Sequence, residues 1–319
     1  MTNSIRVSIL VPIYNVEKFI GKCLDTIFSQ TYTNVNFVFA DDCSTDNSLM
    51  VLQSKLAEYS ISSERYTIIR HSENKGIAQT RIDLLAEADG DYVQFIDSDD
   101  WIEKNMIETM VEATDNGNID IVGCDFFWEY ANGRTKANYD NFAGTCFDNM
   151  IKTINFQITP VLWKLLVKKS LYSNFKIDST INVGEDYIIS IKLFFYANSF
   201  KHVEQHLYHY IQLNKSRLSS QIKRGIKDHM KAVMEVESFF KNQNINNEVI
   251  IEQLMLRKFN IRSNFLNNRF LDYDEYNNCF PETKGIWRKI NYTKREKFKY
   301  WLADHKLFFL IKLMQKLYG

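Results

Sequence analysis

From residue 7 onward, short runs rich in β-branched residues alternate with segments whose apolar residues recur at helical spacing. The first run, residues 7–13, reads VSILVPI and is apolar on both faces, as is typical of a buried strand. The next segment places apolar residues three or four positions apart as far as Phe28, which predicts a helix over residues 16–28. Strands and helices that alternate with connections of this length predict an α/β domain with a mostly parallel sheet and helices on both faces.

The alternation continues to about residue 127 and then loosens. Further strands are predicted at residues 35–40, 66–70, 91–96 and 119–127, and further helices at 46–59, with Asp46 as the N-cap, 75–88 and 102–114. Residues 131–140 are polar and are predicted as a loop, whereas 163–172, 187–197 and 202–210 are predicted as additional elements of the same domain. Beyond residue 219 helices are predicted at 221–240 and 248–267, with a pair at 293–318. The sequence therefore predicts an α/β domain over residues 1–215 and a helical region over residues 216–319.

The charge of the chain changes sign near the same boundary. The 319 residues contain 39 Lys and Arg and 39 Asp and Glu, so the net charge is zero. Residues 1–210 contain 18 basic and 28 acidic side chains, a net charge of −10, which leaves 21 and 11, a net charge of +10, for residues 211–319. A neutral chain of this kind argues against a protein made mainly to coat nucleic acid, and the split indicates that its two parts meet different partners.

Cysteine spacing and the length of apolar runs argue against several other classes. The five cysteines are widely spaced and form no C-x-x-C pair, which indicates neither a disulfide framework nor a zinc ribbon and fits a reducing cytosol. The first residues lack the charged start and apolar core of a signal peptide, and no apolar run approaches the roughly 18 residues that a transmembrane helix needs. We therefore expect a cytoplasmic protein that does not span a membrane.

Acidic side chains follow two of the predicted strands. In a parallel α/β sheet, ligands bind beyond the carboxyl ends of the strands. The acids expected to meet there are Asp41, Asp42, Asp97, Asp99 and Asp100. These carboxylates repel each other unless a cation or hydrogen-bond donors offset them, and Mg²⁺ usually takes one or two carboxylates and completes its shell with water and phosphate. The edge is expected to hold a metal that bridges to a diphosphate; the alternative is that these acids, Asp46 and Asp100 above all, are solvated loop residues and helix caps.

Six segments, in order, resemble inverting glycosyltransferases of family 2, which have the GT-A fold. Residues 7–48 read VSILVPIYNVEKFIGKCLDTIFSQTYTNVNFVFADDCSTDNS, and with NKGIAQTR (74–81) and DYVQFIDSDDW (91–101) they resemble the family's nucleotide-sugar-binding half. VLWKLLVKKSLY (161–172), VGEDYIISIKL (183–193) and LYHYIQLNKSRLSS (207–220) resemble the acceptor side of bacterial members that build surface polysaccharides. The resemblance implies a nucleotide-sugar-binding half at 1–101 and an acceptor half at 102–215.

The resemblance implies roles for several residues on the donor side. Tyr14 would stack its ring on the nucleotide base, and the alternative is a tyrosine that packs at the end of the first strand. Asp42 would accept a hydrogen bond from the imide N–H of uracil, and it would thereby discriminate uracil from cytosine, whose ring nitrogen carries no hydrogen. Arg81 would contact the base or the diphosphate, and the alternative is an ion pair with a neighbouring acid such as Asp97 or Asp99. The other residues that match the donor site are Pro12, Asn15, Glu17, Asp41 and Ser98.

The D-x-D motif, Asp97 and Asp99, is the implied metal site. The two residues share one face if the strand persists through them. Asp99 would bind Mn²⁺ or Mg²⁺, and Asp97 would contact the ribose or the sugar and assist at the metal. The metal would offset the charge that develops on the leaving diphosphate.

Asp186, in the segment Gly184-Glu185-Asp186, matches the family's catalytic carboxylate, and Glu185 is the alternative base. In an inverting transfer the acceptor hydroxyl attacks the anomeric carbon opposite the departing diphosphate, and a base takes its proton. The same two acids precede the helix predicted at residues 187–197, where the helix dipole favours negative charge, so a purely structural role is the alternative.

The sequence departs from the family at Cys43, where Gly is usual, and at Ile82, where Asn is common. Because of Cys43, we expect the turn after Asp42 to differ in shape from the turn of family members that have Gly at this position. A zinc site is a competing interpretation of the histidine-rich segment, His202-x-Glu204-x-His206 with His209, but the spacing is not H-E-x-x-H and the segment alternates like a strand.

Two other functions also place acids at strand ends. A metal-dependent phosphotransferase with a D-x-D-x-[TV] nucleophile fits poorly, because Trp101 follows the acids and the motif ends the fourth strand rather than the first. A non-catalytic nucleotide-sugar-binding protein stays open, and Asp186→Ala separates it from an enzyme because a binder would keep both its affinity and its output.

The segment 293–319 is predicted to form a cationic amphipathic hairpin. Its basic residues are Lys294, Arg295, Lys297, Lys299, Lys306, Lys312 and Lys316, and its apolar residues include Trp301, Phe308, Phe309, Leu313 and Leu317. Such a hairpin suits the surface of an anionic membrane, and helices that pack on the catalytic domain with a solvated basic face are the alternative.

With the resemblance, the sequence predicts an inverting, metal-dependent glycosyltransferase. It would move a sugar from a nucleotide-diphosphate sugar, a UDP-sugar in particular, to a hydroxyl of a glycan or lipid-linked glycan in capsular, exopolysaccharide or lipopolysaccharide synthesis. A homo-oligomer, peripheral contact with the cytoplasmic face of a membrane and no nucleic-acid partner are further expectations.

Overall fold

A computed structural model of the chain describes residues 5–212, 222–266 and 272–318. The chain divides into two compact units, Met1–Ser220 and Gln221–Gly319. The boundary predicted near residue 215 lies outside the described residues, as does most of the predicted motif at 207–220.

The described part of the first unit contains a nine-stranded sheet with strand order β3-β2-β1-β4-β8-β6-β9-β5, in which β7 pairs with β6. The strands are β1 (Val7–Ile13), β2 (Val35–Asp41), β3 (Tyr66–Arg70), β4 (Tyr92–Phe95), β5 (Trp101–Ile102), β6 (Ile121–Glu129), β7 (Thr135–Asn138), β8 (Leu165–Lys168) and β9 (Phe200–Ile211). The α-helices are α1 (Ile20–Phe28), α2 (Ser48–Glu58), α3 (Ile77–Glu87), α4 (Met106–Glu112), α5 (Cys146–Ile154) and α6 (Glu185–Tyr196). The predicted α/β fold class is confirmed.

The sheet runs in one direction at its donor-side half and changes direction beyond β4. β3, β2, β1 and β4 are parallel, whereas β8 is antiparallel to both β4 and β6. Every residue of β1 and β2 is buried, which is why their sequences are apolar without alternation. Ile13 pairs with Asp41 in the β1–β2 ladder, so these two strands end at the same edge of the sheet.

Helix α1 shows how the apolar spacing produces the packing. Its four buried residues recur three or four positions apart and face the sheet; they are Ile20, Cys23, Leu24 and Ile27. Burying each of the larger aliphatic side chains contributes about 1.5–3 kcal/mol, so Leu24→Ala, which also leaves a cavity, would cost about 2–5 kcal/mol.

Two sequence predictions in this unit are wrong, and one helix is missing from the prediction. Residue 102 lies in β5, which pairs with Tyr208 and His209 of β9, and the following helix begins only at Met106. The predicted loop at 131–140 contains β7, a strand whose first two residues are exposed and which therefore carries no apolar signal. Helix α5 was not predicted at all, although Cys146, Met150 and Ile154 are four residues apart and buried, a spacing that does indicate a helix.

Asp140, at the end of the predicted loop, is also buried. It pairs with the buried side chain of Lys164 and accepts a hydrogen bond from the backbone N–H of Thr159 at 2.9 Å. Burial lowers the pKa of Lys164, and Asp140 opposes that shift. The pair connects the segment after β7 with the segment that leads into β8.

The second unit is helical where the structure describes it. Its α-helices are α7 (Ile222–Asn242), α8 (Glu248–Ser263), α9 (Tyr273–Asn278), α10 (Lys294–Asp304) and α11 (Phe308–Tyr318). The predicted helices at 221–240 and 248–267 include Gln221 and Asn267, which lie outside the described residues. None of the described helices is both long and apolar enough to cross a membrane.

A buried polar network holds the second unit together. Arg262 is fully buried, donates from Nε to the carbonyl oxygen of Tyr276 at 2.9 Å, and lies 3.4 Å from Asp304 Oδ1. Asp304, at the end of α10, also accepts from the Tyr276 hydroxyl at 3.1 Å and from Trp287 Nε1 at 2.8 Å. Helix α10 itself begins at a capping box formed by Thr293 and Glu296.

Candidate active site

The loops that follow β1 and β2 are tied to each other by side chains of the donor-side prediction. Asn15, with a left-handed φ of 50°, accepts from the backbone N–H of Thr45 at 2.8 Å. Glu17 accepts from the backbone N–H of Asn47 at 3.0 Å. Pro12 is buried within β1, whereas Tyr14 is 49% exposed. Pro12, Asn15 and Glu17 thus shape the edge, and Tyr14 presents an accessible ring there.

Asp42 lies in a nest of hydrogen-bond donors just beyond β2. Its Oδ1 is 2.7 Å from His71 Nδ1 and accepts from the backbone N–H of Lys75 at 2.8 Å, and its Oδ2 accepts from the backbone N–H of Gly76 at 3.0 Å. His71 Nε2 in turn lies 2.9 Å from Asp83 Oδ2. Asp42 is only 4% exposed, and these hydrogen bonds fix its carboxylate in one orientation.

The turn after Asp42 keeps the backbone shape that the family's glycine suggests. Cys43 has a φ of 62°, in the left-handed region that favours glycine. Asp41 Oδ1 accepts from the backbone N–H of Ser44 at 3.2 Å and closes the turn. The differently shaped turn expected at Cys43 is therefore absent from the described structure, and Asp41 has a structural contact here.

The N-cap of α2 is Asn47, so the predicted N-cap at Asp46 is wrong by one residue, although the Asp46 side chain binds at the start of this helix. The helix begins at Ser48, whose N–H donates to Asp46 Oδ1 at 3.0 Å, and the Glu17 N–H donates to Asp46 Oδ2 at 3.0 Å. These donors lower the pKa of Asp46 against the opposing effect of its partial burial.

Arg81 contacts acids from both the predicted donor side and the predicted acceptor side. It is 2% exposed on α3, and its guanidinium lies 3.5 Å from Asp97 Oδ1, 3.6 Å from Glu185 Oε1 and 3.1 Å from Asp186 Oδ1. It also lies over the Phe95 ring, 4.8 Å from the ring centroid. Burial alone would lower its pKa, but the three carboxylates raise it. Its Nε and Nη1 are buried and donate no hydrogen bond to the described residues.

Glu185 and Asp186 begin α6 behind Gly184, which has a left-handed φ of 86°. Burial and, to a smaller extent, the neighbouring Asp186 raise the pKa of Glu185 to about 8, although Arg81 opposes the rise. Burial also raises the pKa of Asp186, again against Arg81. Because Arg81 Nη2 lies 3.1 Å from Asp186 while its Nε lies 3.6 Å from Glu185, we infer that the shared negative charge resides mainly on Asp186.

The D-x-D segment does not lie on the strand. Strand β4 ends at Phe95, and the Asp100 N–H donates to the Asp97 carbonyl oxygen at 3.0 Å, which makes residues 97–100 a turn. The condition for Asp97 and Asp99 to share one strand face is therefore not met. Both are half-buried on this turn, and Ser98 is buried between them.

Asp100 is neither solvated nor a helix cap, contrary to the alternative given above. It is 1% exposed, and its carboxylate accepts from the Tyr208 hydroxyl at 2.9 Å and from the Ile211 N–H at 2.8 Å. The Asp97 N–H also contacts the Tyr208 hydroxyl at 3.2 Å. Strand β9 thus fixes the turn that carries the D-x-D motif.

The carboxylate oxygens at this turn are suitable ligands for a divalent cation that also binds phosphate. No group of three or more His, Cys, Asp and Glu side chains in the described part of the chain is arranged to hold a metal by itself. Asp97 and Asp99 offer hard oxygen ligands, and Mg²⁺ typically takes one or two carboxylates together with water and phosphate. Asp99 and Asp97 therefore fit the predicted metal when a diphosphate supplies further oxygens.

Two of the three histidines of β9, His202 and His209, contact acidic side chains. His202 Nε2 lies 3.1 Å from Asp125 Oδ1, and His209 lies 2.7 Å from Glu129 and 2.9 Å from Glu103. The Trp101 ring stacks on His209 with centroids 3.3 Å apart. This part of the described sheet gives no support to the zinc interpretation.

Sequence reasoning missed His71, Asn182 and Tyr208. Asn182 Oδ1 accepts from the Ala78 N–H at 3.1 Å, so the loop before α6 is docked on the start of α3. Tyr208 lies in a motif that was recognised, but its role depends on its contact with Asp100, 108 residues away. No local pattern around His71 marks it, because its partners come from other segments.

Comparison with known proteins adds a family model and several relatives. Residues 8–182 match the model described as Glycosyl transferase family 2, which is more than half of the chain. The chain is 30% identical over 227 residues to the Glycosyltransferase GlyA of Streptococcus pneumoniae, a match that covers 67% of this chain and 31% of GlyA. It is 29% identical over 248 residues to the Putative glycosyltransferase EpsH of Bacillus subtilis, covering 75% of this chain and 70% of that protein.

Solved structures share the fold. S. aureus TarS, residues 1–349 in complex with UDP-GlcNAc, superposes with a TM-score of 0.67 at 20% identity and covers 87% of this chain and 80% of that one. The mannosyltransferase PcManGT from Pyrobaculum calidifontis, in complex with GDP-Man and Mn²⁺, superposes with a TM-score of 0.58 at 14% identity, covering 99% and 84%. The chain spans about a third of the length of GlyA and most of the length of the other three.

Proposed function

The chain belongs to glycosyltransferase family 2 and has the GT-A fold, and we propose that it transfers a sugar from a UDP-sugar to an acceptor hydroxyl with inversion. The family resemblance drawn from the motifs is confirmed. The observation that carries the proposal is the Arg81 cluster, in which one buried guanidinium contacts Asp97 of the D-x-D turn and Asp186 at the start of α6. Donor-side and acceptor-side acids thus share one site.

The donor would bind at the edge formed by the ends of β1, β2 and β4. The exposed ring of Tyr14 suits stacking against a base, which contributes about 1 kcal/mol. The Asp42 carboxylate is held by three hydrogen-bond donors and can itself only accept. It is therefore suited to bind the imide N–H of uracil. Asp97 and Asp99 would hold Mn²⁺ or Mg²⁺, and such an ion would neutralise charge on the diphosphate.

The acceptor hydroxyl would be activated by Asp186. The oxygen of the acceptor hydroxyl attacks the anomeric carbon. The bond from that carbon to the diphosphate oxygen breaks, and its electron pair leaves with the diphosphate. The proton of the hydroxyl passes to Asp186. Asp186 Oδ1 lies 3.1 Å from Arg81 Nη2, and this positive charge favours the ionised carboxylate that can take the proton. A base whose pKa is raised by burial holds the proton more strongly than an exposed aspartate would.

The acceptor is proposed to be a glycan or lipid-linked glycan of a bacterial surface polysaccharide. Support comes from the acceptor-side motifs at 161–172 and 183–193, which resemble those of bacterial members that build surface polysaccharides. Contact with an anionic membrane surface through residues 293–318 is part of this proposal. Four large apolar side chains of α10 and α11 are exposed among basic residues; they are Phe298, Trp301, Phe309 and Leu313.

A thermal-shift panel tests the donor assignment. We expect UDP together with Mn²⁺ or Mg²⁺ to raise the Tm of the full chain, with CDP giving a smaller shift. Ligand binding at about 100 times its Kd stabilises a protein by about 2.7 kcal/mol, which such an assay resolves. A larger shift with GDP, or no shift with UDP and metal, would overturn the UDP assignment.

A further inference from the structure

His71 is a buried group that the transfer mechanism does not use. It follows β3 directly, its side chain is 2% exposed, and its backbone N–H donates to the Asp41 carbonyl oxygen at 3.0 Å. The residue is therefore fixed relative to the end of β2, where Asp42 lies.

Both ring nitrogens of His71 face carboxylates. Nδ1 lies 2.7 Å from Asp42 Oδ1 and Nε2 lies 2.9 Å from Asp83 Oδ2. An ionised carboxylate can only accept, so both contacts are hydrogen bonds when the ring carries a proton on each nitrogen. Asp83 is itself held by Gln79, whose Nε2 donates to its Oδ1 at 2.8 Å. A chain of bonds thus runs from α3 through the ring to Asp42.

The bonds to Asp42 leave one oxygen only partly used. Oδ1 receives His71 and the Lys75 N–H, whereas Oδ2 receives only the Gly76 N–H. Because a carboxylate oxygen offers about two acceptor positions, the position that remains lies on Oδ2. Two of the three donors to Asp42 are backbone groups, and the third is the side chain of His71. A substitution of His71 can therefore release the Asp42 carboxylate.

We propose that His71 is a positioning residue that sets nucleobase selectivity by holding Asp42 Oδ1 and leaving Oδ2 for the ring N–H of the base. This inference rests on the proposed role of Asp42 as the reader of the base. A uracil imide presents a hydrogen to Oδ2, whereas the ring nitrogen of cytosine presents a lone pair and is repelled. Release of Asp42 would let the carboxylate turn, so that this difference becomes smaller.

Two amide variants of similar size separate this role from simple packing. In His71→Asn the side-chain nitrogen comes near the place of Nδ1 and keeps a donor for Asp42, whereas in His71→Gln it comes near the place of Nε2 and faces Asp83 instead. The experiment measures the Kd of UDP and of CDP by calorimetry, with Mn²⁺, for both variants and the unmodified full chain. Circular dichroism and Tm confirm that each variant is folded.

We expect His71→Asn to bind UDP within about threefold of the unmodified chain, and His71→Gln to bind it about tenfold or more weakly, with a smaller ratio of CDP to UDP Kd. Equal ratios for the two variants and the unmodified chain would overturn the proposal. Loss of the folded state in both variants, measured by circular dichroism and Tm, would also overturn it, because the role of His71 would then be structural. Asp42→Asn is the separate test of the underlying function: if it leaves the ratio unchanged, Asp42 does not read the base, and the donor assignment fails rather than the role of His71 alone.

Discussion

Glu185 and Asp186 are neighbours in the sequence, but the structure gives them different chemical states. Glu185, with its pKa raised by burial to about 8, is mainly neutral at pH 7, whereas Asp186 is closer to Arg81 and carries the charge. A glutamine resembles the neutral Glu185, and an asparagine cannot take a proton from the acceptor.

We therefore expect Asp186→Asn to lower the turnover number by about a hundredfold or more and Glu185→Gln to change it only a few-fold. UDP affinity should be nearly unchanged in both, which calorimetry measures. Sugar transfer that survives in Asp186→Asn but not in Glu185→Gln would reverse the assignment of the base. Unchanged biological output in Asp186→Asn would favour a binding protein.

The raised pKa of Glu185 also makes stability depend on pH. The folded state holds a proton on Glu185 that the unfolded state releases above a pKa of 4.5. The resulting stabilisation is complete below pH 4.5 and is lost as pH rises through about 8. In metal-free buffer, the free energy of unfolding of the unmodified chain should fall across this interval more steeply than that of Glu185→Gln. Parallel pH profiles for the two proteins, measured by urea titration, would contradict this.

Site residues could be predicted from the sequence when a local motif carries them. Asp42, Arg81 and Asp186 all stand in short segments that resemble the family, and Arg81 is the last residue of the segment NKGIAQTR. An ion pair of Arg81 with Asp97 is one of the predicted alternatives, whereas its contacts with Glu185 and Asp186 are not predicted, because Asp186 lies 105 residues away along the chain. His71 had no local signal, since its partners Asp42 and Asp83 lie on other elements.

At the scale of elements, the start of α3 is the junction that both halves of the site share. Gly76 donates to Asp42 and has a left-handed φ of 85°. A Cβ at this position would come within 2.4 Å of Asn182 Oδ1, the atom that accepts from the Ala78 N–H. The glycine therefore permits the loop before α6 to dock on the loop that holds Asp42.

Gly76→Ala should lower the free energy of unfolding by about 2 kcal/mol or more, because it strains the backbone and displaces the loop that carries Asn182. It should also weaken UDP binding, because Gly76 donates to Asp42. Gly133→Ala is the matched control, since its φ is 76° but no atom lies within 4 Å of the added Cβ. The control should show only the backbone cost, with UDP affinity unchanged. Equal effects of the two substitutions on UDP affinity would show that the Asn182 contact is unimportant.

Buried elements were predicted from the sequence better than exposed ones. Every residue of β1 and β2 is buried; the bounds predicted for β1 match those of the structure, and β2 extends only one residue beyond its predicted end, to Asp41. β7 was missed because an exposed edge strand needs no apolar side, and β5 was missed because two residues pair only through β9. Such elements are defined by partners distant in sequence, which periodicity does not report.

At the scale of the whole molecule, the charge division remains the feature with the most direct consequence for location. The acids of the proposed site belong to residues 1–210, which carry a net charge of −10, and the exposed apolar residues of α10 and α11 belong to residues 211–319, which carry +10. Membrane contact through the second unit would therefore combine apolar insertion with attraction to anionic lipids.

We expect the full chain to float with vesicles that contain phosphatidylglycerol and to bind less as the salt concentration rises, because screening weakens the attraction. Replacing Trp301 and Phe309 by serine should reduce flotation, since both side chains are exposed. Point variants are preferable to a truncation at residue 290, which would remove Leu302 and Ala303 from the buried part of the second unit. Equal flotation of the serine variant and the unmodified chain would exclude this face as the contact.

The seam between β4 and β8 has a consequence for recombination. Tyr92, Val93 and Gln94 pair across it with Lys168, Val167 and Leu166. Gln94 Nε2, fully buried, donates across it to the Trp163 carbonyl oxygen at 2.6 Å. A chimera that takes its donor half from one relative and its acceptor half from another would cut through this ladder. Such exchanges should yield folded enzymes only when β4 and residues 163–168 are inherited from the same parent.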